Sequence, residues 1–174
     1  LGMLDFSFFL SSEKIFFLKM YCMSLLIKFN GVFLLQIYQN NSIFAYDIEF
    51  IDSVVRRATN GLERYNAIRG YTSDSFGMLC NVLTLYLSSK ELHKANILFN
   101  VMKSTHLTEN LVKERLYLTF YQGIVELIIQ KDMTGKNKIN NSLNICDYLN
   151  LVESKKSMTK LFSFLCQLYE IPAQ

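Results

Sequence analysis

The sequence predicts an all-α protein made of antiparallel helix hairpins stacked side by side. Three observations carry that prediction. Apolar residues recur every three or four positions through most of the second half, as they do on helices with one buried face. The single proline, Pro172, is third from the end, so nothing before it interrupts helix after helix. The links between periodic segments are short, Ser88-Ser89 and Lys131–Gly135 among them, and short links make successive helices antiparallel.

At 174 residues the chain reads as one domain, residues 1–174, with a single sizeable core. Its composition, 51% hydrophobic and 19% charged, is more apolar than that of an average soluble domain and calls for a large core or a broad contact surface. The net charge of +3 comes from residues scattered along the chain, which argues against the clustered basic stripe of a nucleic-acid surface. Cys22, Cys80, Cys146 and Cys166 are far apart and form no CxxC pair. They read as small buried hydrophobes in a reducing compartment, with an intersubunit disulfide or a redox sensor as alternatives.

Phe6–Leu10 and Ile15–Ile27 are strongly apolar, yet Glu13, Lys14, Lys19 and Lys28 interrupt them. The longest uncharged run there, Met20–Ile27, falls far short of the roughly 18 residues a membrane span needs. Asp5 stands where a secretory signal carries basic residues, and no small-residue cleavage site follows. No membrane partner and a cytoplasmic location are therefore expected. The opening Leu1-Gly2-Met3 also fits the trimmed start of a longer chain.

Ser11 or Ser12 caps an expected helix from Glu13 to Phe29, stopped by Asn30-Gly31. Phe33–Tyr38 is a short apolar run that fits helix or strand. Behind an Asp47 cap, Ile48, Ile51, Val54, Val55, Ala58 and Leu62 recur at helical spacing, and Asn60-Gly61 reads as a break in that helix. Asn66–Tyr71, holding Gly70, is the expected connection. Thr72 or Ser73 then caps a helix to about Ser88 that buries Phe76, Leu79, Val82, Leu83, Tyr86 and Leu87.

Lys90–Lys103 is the next helix, with Leu92, Ala95, Phe99 and Met102 inward and Glu91, Lys94, Asn96 and Lys103 outward. Thr108 with Glu109 opens a helix to about Gln130. Its polar residues Arg115, Thr119, Gln122, Glu126 and Gln130 lie on one stripe and the rest is apolar, as on a helix packed on two sides. After the turn Lys131–Gly135, Ile139, Leu143 and Cys146 mark one stripe of a helix ending near Asn150. The last helix, Ser154–Glu170, carries Met158, Leu161, Phe162, Leu165, Leu168 and Tyr169 in regular rhythm, closed by Pro172.

Successive hairpins invite a test for repeats. In Leu116–Leu149, Gly123 supplies the small residue where the first helix crosses its partner, Gly135 and Ser142 the small facing positions, and Ile139 the apolar one between them. Those intervals fit the tetratricopeptide pattern, whose period is about 34 residues. In the preceding unit Tyr86, Ala95 and Phe99 match, while Leu83 stands where the glycine belongs; no tryptophan or closing proline is present. The fold expected is thus a tetratricopeptide-like right-handed superhelix of antiparallel hairpins. Residues 1–45 either complete it or form an incomplete, irregular first repeat.

The wording of this half resembles a known family. Lys113-Glu114-Arg115-Leu116-Tyr117-Leu118-Thr119-Phe120-Tyr121-Gln122-Gly123, then Asp132-Met133-Thr134-Gly135 and the apolar helix Ile139–Leu149, is similar to the C-terminal half of the Rgg/GadR/MutR transcriptional regulators of Gram-positive bacteria. Leu79-Cys80-Asn81-Val82-Leu83 resembles their leucine-and-asparagine helix and Ile27-Lys28-Phe29-Asn30 their Phe-Asn element, so the resemblance covers about Lys14–Glu170. It implies a helical sensor domain of a quorum-sensing regulator that forms a homodimer and takes a short signalling peptide on its concave face. DNA is expected only through a helix-turn-helix unit, and the first residues here show no capped DNA-reading helices of that kind.

No residue cluster carries a reaction. His93 and His106, the only histidines, have no carboxylate or thiol at ligand spacing on their own helices, so no metal, cofactor or catalytic residue is expected and the chain does not read as an enzyme. Gly135-Lys136 is no phosphate loop, because Gln130 replaces its first glycine and Asn137 its Ser or Thr. Arg56-Arg57, with Arg64 and Arg69 near, is a solvated helix face or an anion grip.

The repeat register places Asn81, Thr84, Tyr117, Phe120 and Tyr121 on the concave face. Aromatics supply contact area for an apolar peptide, and Asn offers donor and acceptor to its backbone; core packing is the alternative for the aromatics. Arg115 is a candidate clamp for a peptide carboxylate, or else pairs with Glu109 or Glu114. Met158, Leu161, Phe162 and Leu165 form the candidate dimer surface, unless that face caps the core. A helical scaffold gripping a folded partner, and a small all-α enzyme, remain the competing readings.

Overall fold

Helices joined by short turns make up the described chain. The structure, a computed structural model, describes residues 51, 52, 55, 56, 59 and 69–172. Among the described residues there is no strand. Within the described residues 69–172 five helices follow one another: α1 Arg69–Ser88, α2 Leu92–Ser104, α3 Val112–Ile128, α4 Gly135–Tyr148 and α5 Val152–Leu168. Residues 51, 52, 55, 56 and 59 are helical too, as the spacing behind Asp47 requires. The helix expected at 13–29, the run 33–38 that fits helix or strand, and the break at Asn60-Gly61 lie outside the described residues.

The backbone divides into two compact units, one ending at Val82 and one beginning at Leu83. In the first, α1 buries Phe76, Met78, Leu79, Cys80 and Val82, with Thr72 and Ser75 fully enclosed as well. The helix starts at least four residues earlier than its sequence suggests. Arg69, Gly70 and Tyr71 are helical, so they are not a connection, and Thr72 lies inside the helix rather than capping it. A glycine costs a helix only about 1 kcal/mol, an amount that burial of the neighbouring turns readily offsets.

In the second unit, α3 packs against both α2 and α4, and every residue from Gly123 to Ile128 is buried. That two-sided burial is what its wide apolar arc requires. By contrast α4 and α5 each bury one narrow stripe: Gly135, Ile139, Ser142 and Cys146 on the first, Met158, Leu161, Leu165 and Cys166 on the second. These stripes meet where the Cys146 Sγ lies 3.9 Å from the Met158 Sδ. Gly123 and Gly135 set the closest approach, because a Cβ on Gly123 would lie 2.6 Å from the Gly135 carbonyl oxygen and 2.8 Å from the Ile139 Cγ1.

Helix ends depart from the expected cap chemistry. None of α2–α5 has a side-chain hydrogen bond at its N-cap, and the residues there are Glu91, Leu111, Thr134 and Leu151. Thr108 therefore does not cap α3; its carbonyl accepts the Leu111 N–H at 3.0 Å, and Leu111 is buried. At the other ends, Lys90, Lys131, Asn150 and Glu170 take left-handed backbone with φ of 60°, 59°, 52° and 53°. Lys90 thus closes α1 instead of opening α2. Three of these turns share one pattern: Glu91 N–H to Tyr86 O, Leu151 N–H to Cys146 O and Ile171 N–H to Cys166 O, at 2.8, 2.8 and 2.9 Å.

Helices α1, α3 and α5 end at Ser88, Ile128 and Leu168, a step of 40 residues each time. The same step relates Leu83 to Gly123, Ala95 to Gly135 and Phe99 to Ile139. The ends of these three helices thus recur at 40 residues, although their starts, Arg69, Val112 and Val152, are 43 and 40 apart.

Lys131 is exposed, and its left-handed backbone carries a Cβ penalty of about 1–2 kcal/mol that glycine lacks, against about 0.5–1 kcal/mol for glycine's greater freedom when unfolded. Lys131→Gly is expected to stabilise the protein by about 0.5 kcal/mol, while Lys131→Val destabilises it by a similar amount or more. Urea midpoints of the two variants check this; a glycine variant less stable than the parent would contradict it.

Candidate functional site

The residues assigned to a concave face fall on two helices, α1, where Asn81 precedes the unit boundary and Thr84 follows it, and α3. On α3, Tyr117, Phe120 and Tyr121 come from two adjacent turns. All three are buried, with relative exposures of 7%, 0% and 2%. The rings of Phe120 and Tyr121 meet edge to face, with centroids 5.7 Å apart and planes at 74°, a favoured aromatic geometry. Thr84, in the last turns of α1, is also buried, and its hydroxyl shares a 2.7 Å hydrogen bond with the Tyr121 hydroxyl. That bond joins two first helices and lets a tyrosine ring be enclosed with its polar tip satisfied.

The structure thus brings Thr84, Phe120 and Tyr121 together. Arg115 stands apart, exposed in the first turn of α3, where its carbonyl accepts the Thr119 hydroxyl at 3.0 Å. Asn81 belongs to the other unit and is half-buried. On α5, Met158, Leu161 and Leu165 are enclosed by the chain itself and Phe162 is half-buried. The exposed apolar side chains of this region are Ile145, Tyr148 and Leu149 on and just after α4, and Val152 and Phe164 on α5.

Further along α3 lies a charged group that the sequence signalled only as part of a polar stripe. Glu126 is buried, and its Oε1 accepts the Gln122 amide at 2.9 Å and the Lys138 ammonium from α4. Its Oε2 is buried with no hydrogen-bond partner. Burial pushes the Glu126 carboxyl up, but the bonds from Lys138 and Gln122, with the Lys138 charge, outweigh it and hold the group below the usual glutamate range. Asp132, in the turn between the helices, is lowered by its bonds to Thr134, whose N–H it accepts at 2.9 Å.

A second feature has no sequence signal at all. Tyr169, just past α5, donates its hydroxyl to the Leu87 carbonyl at the end of α1, 82 positions earlier in the chain. Both residues lie on apolar stripes that the sequence shows, but nothing there pairs them, and only the three-dimensional path does.

Among the described residues no group of His, Cys, Asp and Glu side chains could hold a metal ion. His93 and His106 are both exposed. Among the described residues Cys80, Cys146 and Cys166 form no disulfide and are buried; Cys22 lies outside the described residues. Burial pushes the Cys146 and Cys166 thiols up, so they stay protonated and weakly nucleophilic at neutral pH. Among the described residues no helix is long and apolar enough to cross a membrane.

No curated protein and no solved structure matches the chain. The sequence model of one family does. It is described as the C-terminal domain of the HTH-type transcriptional regulator Rgg, a family of transcription regulators rather than of enzymes, and it matches residues 31–160. That span takes in α1 to α4, the Gly123–Gly135 crossing, the Thr84–Tyr121 pair and half of α5. The chain therefore belongs to the Rgg C-terminal domain family, as the wording of Lys113–Gly123 and of Asp132–Gly135 implied.

Proposed function

We propose that the chain is the peptide-sensing regulatory domain of a bacterial transcriptional regulator acting in quorum sensing. The observation that carries this reading is the family match over residues 31–160. In the proposal the hairpins stack as a tetratricopeptide-like right-handed superhelix in the cytoplasm of a Gram-positive bacterium. A short signalling peptide occupies its concave face, meeting Asn81, Thr84, Arg115, Tyr117, Phe120 and Tyr121. The 40-residue step between α1, α3 and α5, and the hydroxyl bond between Thr84 and Tyr121, support a stack of equivalent first helices.

Regulation follows as a population shift: a peptide that binds one curvature of the array better than another changes the geometry of a homodimer and of the helix-turn-helix units that read DNA. Dimerisation is assigned to α5, with Met158, Leu161, Phe162 and Leu165. Because Met158 and Leu165 are enclosed by the chain, the side chains that a second copy meets first are Phe162 and the exposed Phe164. A scaffold gripping a folded partner is the second reading, favoured by exposed Ile145, Tyr148, Leu149 and Val152 around the α4–α5 corner.

Calorimetric titration of the full chain with a panel of synthetic short apolar peptides tests the proposal. Saturable heat is expected, with Asn81→Ala weakening the tightest peptide about tenfold, the worth of roughly one lost hydrogen bond. No heat with any peptide, alongside stable capture of a folded partner, would replace the sensor reading with the scaffold.

A further inference from the structure

The bond between Tyr169 and Leu87 is out of place in an open stack. Helices packed side by side stand about 8–10 Å apart, so two first helices separated by a third lie roughly 20 Å apart. A tyrosine side chain reaches much less than that. Yet the Tyr169 hydroxyl donates to the Leu87 carbonyl at 2.6 Å, which draws the end of α5 onto the last turn of α1. The same carbonyl accepts the Lys90 N–H at 3.2 Å, and the Lys90 ammonium lies over the Tyr169 ring, 5.9 Å from its centroid.

The tail beyond α5 is held from behind as well. Ile171 N–H bonds to Cys166 O at 2.9 Å, and the Lys136 ammonium, from the start of α4, donates to the Pro172 carbonyl at 2.8 Å. Lys90 and Glu170, one on each of the segments that meet, both hold left-handed backbone that L residues adopt at a cost. A few polar contacts between strained turns make a junction that is specific and easily released. Burial raises the Tyr169 phenol further above neutrality, so the donor proton is present throughout the ordinary pH range.

We propose that Tyr169 is a latch that ties the ends of α1 and α5 and closes the face carrying Thr84, Tyr117, Phe120 and Tyr121, so that a ligand reaches that face only when the latch opens. Those four side chains are buried while the Tyr169–Leu87 bond is made. Its closing action rests on the contacts alone; its role in ligand entry rests on the sensor reading.

The test uses the full chain and Tyr169→Phe, which keeps the ring under Lys90 and removes only the hydroxyl. Lys136→Gln, which frees the Pro172 carbonyl, serves as an independent second variant. Amide hydrogen exchange is expected to speed up at least about fivefold in both 83–91 and 166–172, with no change across 123–139. Fluorescence of anilinonaphthalene sulfonate, a dye that reports exposed apolar surface, should rise in parallel. Faster exchange confined to 166–172 with unchanged dye binding would overturn the latch. Exchange as expected, with the same apolar peptides binding parent and variant at equal rates and affinities, would overturn its role in entry. If neither protein binds any peptide, the sensor reading fails while exchange and dye still decide the latch.

Discussion

Gly123→Ala is expected to destabilise the protein by about 2–3 kcal/mol, although alanine is the better helix former by about 1 kcal/mol. The added Cβ would stand 2.6 Å from the Gly135 carbonyl oxygen and 2.8 Å from the Ile139 Cγ1. A side chain can rotate away from such a contact, but a helix carbonyl cannot, so α3 and α4 must separate. Separation loosens Ile124, Leu127 and Ile139, which are all nearly inaccessible to solvent. Gly77→Ala supplies the control: a Cβ there meets nothing within 4 Å, and about 0.5–1 kcal/mol of stabilisation is expected from propensity alone.

Gly135→Ala should resemble Gly123→Ala, because its Cβ would run into the Gly123 carbonyl oxygen. The double variant should lose less than the two single losses combined, since helices already forced apart for one methyl have room for the other. Urea unfolding of the four variants measures all of this. A Gly123→Ala protein as stable as the parent would mean that the crossing is not the close contact described.

This crossing was also the most legible part of the sequence, for a physical reason. Only a small residue lets two helix backbones approach, so Gly123, Gly135 and Ser142 at hairpin spacing leave few other structures open. The buried stripes were equally readable: Phe76, Leu79, Val82, Leu83, Tyr86 and Leu87 are all enclosed. The helix ends were not. Turn signals rest on glycine and on Ser or Thr caps, whereas the left-handed positions here are held by lysines, an asparagine and a glutamate, and the caps form no side-chain bonds. Burial of Leu111 and two-sided packing of α3 place those ends, and packing leaves no local mark.

The candidate site divides the same way. A helical stripe predicts that Tyr117, Phe120 and Tyr121 point in related directions, but it does not distinguish a ligand wall from a core. All three are buried, with Tyr121 bonded to Thr84, so any ligand on this face must first find it uncovered. Tyr169 and Lys138, which tie down the edges, act across 82 and 12 positions of sequence, and no periodicity carries that information.

Lys138→Met is expected to destabilise the protein by about 1–2 kcal/mol near neutral pH, less than the 3–5 kcal/mol of a fully buried pair because the Lys138 side chain is 36% exposed and water screens it. In the parent, the bonds to Lys138 and Gln122 hold the Glu126 carboxyl below its usual range despite burial. A depressed carboxyl stabilises the fold above its unfolded pKa and loses that contribution as pH falls through the folded value. Without Lys138, burial and the charge of Asp132 both push Glu126 up, with only Gln122 opposing them. The sign of its contribution then reverses: the ionised form strains the fold at neutral pH, and protonation relieves it.

The stability difference between parent and Lys138→Met should therefore shrink as pH falls from about 7 to about 3.5, the range in which a glutamate gains its proton. Glu126→Gln in the Lys138→Met background should restore most of the loss at neutral pH, since an amide needs no counter-ion. Denaturant curves at several pH values distinguish this from packing. A loss that stayed constant with pH would mean that Lys138 contributes its aliphatic stem and not its charge, and that the α3–α4 pair is held at Gly123 and Gly135 alone.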